Sequence, residues 1–142
     1  MAKTLLAEIV TPERILYTNE VQFVAAKTTD GDVGILPLHA PLVATLEPGE
    51  VRVQIGPSAA DWEWFAVSGG YLQVHEDKVI ILADQAEIAS QIDPVRARES
   101  AEKARERLHE LQSSGADEVE LVAGEHELRF FEVQIEMAEK RK

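Results

Sequence analysis

Ile92-Asp93-Pro94-Val95-Arg96-Ala97 is the stretch at which the chain changes period. Asp93 offers a capping carboxylate and Pro94 a fixed φ, the pairing that starts a helix. Downstream, Pro94, Ala97, Ala101, Ala104, Leu108 and Leu111 recur at three- and four-residue steps and share one helical stripe. Ser113-Ser114-Gly115 ends that helix with a residue free to take the left-handed cap. A second helix is expected over 116–139. Its stripe is Val119, Val122, His126, Phe130, Val133 and Met137, widened by Leu121, Leu128, Phe131 and Ile135. Gly124 weakens it by ~1 kcal/mol relative to alanine. Val133-Gln134-Ile135-Glu136-Met137 also alternates, so a strand reading stays open there; a helical hairpin is favoured. The first stripe is mostly alanine, which buries little area at ~25 cal/mol per Å². Closure of the hairpin is therefore weakly driven, and detachment costs only a few kcal/mol.

Upstream, the period is two. Leu5 to Val10, Val21 to Lys27, Val51 to Ile55, Trp62 to Val67, Tyr71 to His75 and Val79 to Leu82 are apolar, often β-branched or aromatic. Val51-Arg52-Val53-Gln54-Ile55 alternates most cleanly. Thr11-Pro12, Pro48-Gly49, Gly56-Pro57, Gly69-Gly70 and Glu76-Asp77 mark turns. Short strands at this spacing, with no helix between them, favour an antiparallel sandwich or barrel. One segment stands apart: Gly31-Asp32-Val33-Gly34-Ile35-Leu36-Pro37-Leu38-His39-Ala40-Pro41-Leu42. Two glycines, two prolines and apolar neighbours predict a stiff, partly apolar loop carrying one acid, suited to docking.

Composition narrows the function. The 142 residues suffice for one domain, or for a domain with a small appendage. A net charge of −12 argues against nucleic acid or an anionic lipid surface as main partner. With no cysteine, disulfides, thiolate metal sites and cysteine catalysis are excluded. The start of the chain lacks a signal pattern and no apolar run reaches the ~18 residues of a membrane span, so a soluble, cytoplasmic protein is expected. His39, His75, His109 and His126 have no metal-ligand spacing. Ser68-Gly69-Gly70 lacks the upstream glycine of a nucleophile turn and reads as a hairpin turn. No phosphate-binding glycine loop is present and no acid pair stands out. The sequence reads as a non-enzyme.

Four motifs in one order carry a resemblance. They are the loop above, Val67-Ser68-Gly69-Gly70-Tyr71-Leu72-Gln73-Val74, Val79-Ile80-Ile81-Leu82-Ala83-Asp84 and Ile92-Asp93-Pro94-Val95-Arg96-Ala97. Together, from about Leu5 to Leu111, they resemble the epsilon subunit of the bacterial-type F-type ATP synthase. The resemblance implies an α+β fold, an N-terminal antiparallel β-sandwich followed by a C-terminal two-helix hairpin, here divided at 1–89 and 90–142. It implies a non-catalytic rotor subunit that binds gamma, rests on the membrane c-subunit ring, and inhibits ATP hydrolysis by the alpha/beta catalytic head through its helices. Membrane contact would come only through the complex, at the cytoplasmic face of the bacterial plasma membrane. No resident cofactor is implied.

The same resemblance assigns residues. Asp32 falls at the c-ring contact, and His39 at the gamma and ring contacts; Leu38 replaces the usual glycine before that histidine, so a local backbone difference is expected. Ile92, Asp93, Arg96 and Ala97 match the motif with which some members bind ATP, and Glu87 falls at another nucleotide position. Arg96 suits phosphate, while Asp93 either accepts from adenine or simply caps the helix. Phe130 and Gln134 stand where such members carry arginines on the second helix, with only Arg129 nearby. ATP is accordingly expected to be at most a weak regulatory ligand. The second helix is also acidic, with eight carboxylates against Arg129 and Lys140 between Ala116 and Lys140. Inhibition is therefore expected to depend on the first helix and the Lys140-Arg141-Lys142 tail, unless the acidic helix folds back onto Arg105 and Arg107. Rival readings are a free-standing β-sandwich ATP sensor and a small hydrolase; co-purification with gamma, or turnover by the isolated chain, separates them.

Overall fold

The computed structural model describes residues 3–140. Ten strands precede two helices: β1 (Leu5–Val10), β2 (Ile15–Val21), β3 (Phe23–Thr28), β4 (Gly31–Ile35), β5 (Leu42–Leu46), β6 (Gly49–Gln54), β7 (Trp62–Val67), β8 (Gly70–His75), β9 (Lys78–Ala83), β10 (Ala86–Ile88), α1 (Pro94–Ser113) and α2 (Glu118–Lys140). The strands form one continuous sheet in the order β10-β7-β6-β3-β5-β8-β9-β1-β2, with β4 added to β3. Its two halves meet at a single bridge, Thr28 to Leu46, where the sheet folds over on itself. Inward residues of both halves form one core, in which Leu5, Ile9, Ile35, Phe65, Leu72 and Ile81 are all fully buried. Tyr17 of β2 meets Phe65 of β7 edge-on at 4.9 Å, closing the far side of the sandwich. Burial there pushes the Tyr17 phenol above its ordinary pKa, with Asn19 opposing and Glu63 adding to the shift.

The two-layer body and helical hairpin match the expected α+β class. Pairing is antiparallel except for β1 beside β9, which run parallel with Val10 opposite Leu82. Four strands were not legible as such. β2 is largely exposed and mixes polar with apolar residues, and β10 is three residues long. β4 occupies the first half of the segment expected to be a loop, and β5 begins at its last residue. Gly34 belongs there because a Cβ would lie 2.9 Å from the Phe23 ring. Only residues 36–41 form a loop.

α1 begins as expected: the Asp93 carboxylate accepts from the amides of Val95 and Arg96. It ends before Gly115, whose φ of +75° is the left-handed conformation glycine accepts. Asp117 caps α2 by accepting from Glu120 N. Residues 133–137 are helical throughout, which closes the strand alternative. The α1 stripe is buried at Ala97, Ala101 and Ala104. On α2, Phe130, Val133 and Met137 are buried as expected, but Val119, Val122 and His126 are exposed. The reason is tertiary. The C-terminal half of α2 lies on the sandwich, against Ala66, Trp64 and Ala89. Near its N-terminal end Gly124 faces α1 instead, where a Cβ would come within 3.2 Å of Leu108 and 3.3 Å of Leu111. Gly124, expected only to weaken the helix, sets this close approach.

Candidate functional site

Turn, strand end and helix meet in a cleft of about 410 Å³ between the sandwich and the hairpin. The parallel pairing of β1 with β9 builds one wall, because it sets the β1–β2 turn (Thr11, Glu13, Arg14) beside Asp84 and Gln85. Thr11 and Arg14 close that turn with reciprocal backbone hydrogen bonds of 2.9 and 3.3 Å. β10 and the 3-10 turn after it supply Glu87 and Gln91. The first turn of α1 adds Asp93, Arg96, Ala97 and Ser100; α2 closes the cleft with Phe130, Phe131 and Gln134. Its size suits a small molecule.

All five residues expected at a nucleotide position, Glu87, Ile92, Asp93, Arg96 and Ala97, line this one cleft. So do Phe130 and Gln134. Arg129 does not. It lies in a separate groove of about 330 Å³ with Lys27, Asp32, Arg52, Trp64 and Glu136, and its guanidinium donates to Glu136 at 3.1 Å. Arg14 was missed by sequence reasoning: its turn was legible, but nothing local ties residue 14 to residue 96. Lining charges include four carboxylates (Glu13, Asp84, Glu87, Asp93) and two guanidiniums (Arg14, Arg96), which disfavours a highly charged anion.

Asp32 and His39 are not brought into this cleft. Asp32 is exposed on β4, opposite Lys27 of β3, and lines the second groove. His39 is half-buried in the 36–41 loop, with Nδ1 2.6 Å from the Ala40 carbonyl and its amide donating to Leu36 O. Leu38 takes φ +69°, the region a glycine enters without strain. Its amide donates to the Asp77 carboxylate at 2.6 Å, so the β8–β9 turn holds the loop in place.

A third feature is a surface. On the outward side of β5, β8 and β9, Val43, Tyr71 and Leu82 are 71%, 58% and 46% exposed. Tyr71 stands directly opposite Leu82 in register, and Val43 pairs with Gln73, two residues away on the same face. The hairpin covers a different part of the body, at β6 and β7. Among the described residues no group of His, Asp and Glu is arranged to hold a metal, and no helix is long and apolar enough to cross a membrane.

Residues 4–89 match the family model described as the ATP synthase, Delta/Epsilon chain, beta-sandwich domain. The chain is 46% identical over 109 residues to an ATP synthase epsilon chain of Desulforamulus reducens, covering 77% of this chain and 80% of that one. It is 39% identical over 142 residues to an ATP synthase epsilon chain of Dehalococcoides mccartyi, covering 100% and 96%. Its fold is similar to that of a chain in the cryo-EM structure of the Euglena gracilis mitochondrial ATP synthase (OSCP/F1/c-ring, rotational state 1), with a TM-score of 0.68 at 22% identity, covering 92% of this chain and 78% of that one.

Proposed function

The chain belongs to the ATP synthase delta/epsilon family as an epsilon-type subunit, and from that premise we propose that it is a non-catalytic rotor component. Its sandwich docks the gamma subunit and rests on the c-subunit ring; its hairpin restrains ATP hydrolysis by the alpha/beta head. The observation that carries the docking role is the exposed patch of Val43, Tyr71 and Leu82. Three large apolar side chains on neighbouring strands suit an interaction surface, and gamma is the partner that the family resemblance implies. The 36–41 loop and Asp32 extend the contact to the ring. Two prolines, and the hydrogen bond from Leu38 to Asp77, stiffen the loop, so little ordering entropy is lost on docking. Attachment to the membrane is through the complex.

The test is co-purification with gamma. Tyr71→Glu combined with Val43→Glu is expected to abolish it while leaving the fold intact, since both side chains point to solvent. Retained assembly would sink the docking surface. The proposed division at residues 89 and 90 predicts that a chain lacking residues 92–142 still binds gamma and that the resulting complex hydrolyses ATP faster. Charge supports a regulatory hairpin held down by the acidic helix. Arg107 of α1 pairs with Glu127 of α2, and Arg98 pairs with Glu139 at 3.5 Å. Arg105 instead pairs within α1, to Glu102. In the inhibitory state, inhibition draws on α1 and on the Lys140-Arg141-Lys142 tail, of which Arg141 and Lys142 lie outside the described residues.

The cleft is proposed as a weak nucleotide site. Phe130 and Gln134 supply no positive charge, and the carboxylates outnumber the guanidiniums. Calorimetry with ATP is expected to give a dissociation constant above ~10 μM; tighter binding overturns this reading.

A further inference from the structure

Seven arginines fall among the described residues. Five are engaged. Arg52 stacks over Trp62 and Trp64 at 5.4 and 5.7 Å, and Arg98, Arg105, Arg107 and Arg129 each hold a carboxylate. The other two, Arg14 and Arg96, have no ion pair and no side-chain hydrogen bond. Both line the same cleft. In a chain of net charge −12, two unpaired guanidiniums line one cleft although four carboxylates line it too. The cleft holds a third unpartnered group. Gln134 is one of only two buried polar side chains among the described residues, 8% exposed, and its amide has no hydrogen-bond partner within the protein. Thr28, the other, donates to Gly31 O and accepts from Asp30 N. A buried amide without a partner is costly and calls for one.

We infer that Arg14 is a phosphate-anchoring residue, acting with Arg96, and that Gln134 reads the polar edge of the same ligand. The consequence lies in where these residues sit. Arg14 comes from the β1–β2 turn, Arg96 from α1 and Gln134 from α2, so one small ligand joins the sandwich to both helices. Positive charge absent from the second helix is supplied by the sandwich. The ligand class is a phosphorylated molecule with a planar donor–acceptor edge, whose affinity is kept low by Glu13, Asp84, Glu87 and Asp93, which also line the cleft. Its identity as a nucleotide rests on the reading of the cleft given above; the anion pair does not.

Titration of the full chain with inorganic pyrophosphate and, separately, with ATP separates the two. The readouts are side-chain NMR resonances of Arg14, Arg96 and Gln134, together with calorimetric affinity. Both ligands are expected to move the two arginines, and ATP alone to move the Gln134 amide. Arg14→Gln is expected to weaken both ligands about tenfold, as loss of a charge-assisted hydrogen bond does. Arg98→Gln, outside the cleft, leaves affinity unchanged. If pyrophosphate moves both arginines while ATP binds no more tightly, the anion pair stands and the nucleotide reading fails. If ATP binds with the Arg14 signal unmoved and Arg14→Gln unaffected, the role of Arg14 is overturned and the nucleotide reading survives. Silence of all three groups toward both ligands overturns both.

Discussion

The sandwich and the hairpin are built from opposite materials. The sandwich core is large side chains drawn from both halves of a folded-over sheet, among them Phe65, Ile35, Leu72 and Ile81. The seam between α1 and α2 is Ala97, Ala101, Ala104 and Gly124, and the hairpin meets the body through a cluster of five buried residues. Burial energy scales with apolar area, so stability is concentrated in the body. The difference teaches that a strongly and a weakly packed part share one chain because their cores are separate. Exposed sheet surface is divided in the same way: the hairpin covers β6 and β7, whereas Val43, Tyr71 and Leu82 stay uncovered.

The sharpest test of this contrast is a matched pair of deletions. Phe65→Ala, at a fully buried position, is expected to cost ~3–5 kcal/mol of global stability. Phe130→Ala, 3% exposed, removes the same group from the hairpin interface and is expected to release the helices while the main thermal transition stays in place. Hydrogen exchange reads both; equal loss of protection throughout the body in the two variants would make the molecule one cooperative unit.

Next come two left-handed glycines. At Gly70 φ is +138° and a Cβ would fall 1.9 Å from the Leu82 carbonyl oxygen, so Gly70→Ala is expected to cost ~3 kcal/mol or more, measured by denaturant unfolding. Gly115 has φ +75° and open space around it; Gly115→Ala is expected to cost ~1 kcal/mol, felt only in the hairpin. A similar cost at the two sites would break the comparison. Gly124→Val should push Leu108 and Leu111 away and open the hairpin at a cost of about 2 kcal/mol, visible as faster proteolysis of α2. The smallest effect is ionic. Arg107–Glu127 and Arg98–Glu139 are half-exposed pairs worth ~0.5 kcal/mol each, so raising salt from 0.05 to about 0.5 M is expected to loosen the hairpin slightly and leave the sandwich unchanged.

The family resemblance singled out one stretch of the candidate cleft, and its members come together for local reasons. Asp93 and Pro94 mark the start of α1 by capping and fixed φ, both properties of neighbouring residues. Glu87, Ile92, Asp93, Arg96 and Ala97 lie within eleven positions, so any fold that places this segment at a cleft brings them together. Arg14 was not legible, because the cleft residues outside its own turn begin at Asp84, far along the chain, and reach it through the parallel β1–β9 pair. Val119, Val122 and His126 share the helical period of Phe130, yet periodicity does not say where a helix leaves its support.

The sequence by itself determined six of the ten strands and the helical region after them: a period of two until residue 91, a period of 3.6 beyond it, and caps and turns between them. These follow from φ preferences and side-chain spacing, which act over a few residues. Only the tertiary structure decided which glycine packs and which merely turns, which valines face water, and that Arg14, Arg96 and Gln134 line one cleft. Those outcomes depend on contacts between segments distant in the chain, where burial and chain closure, rather than local preference, set the energy.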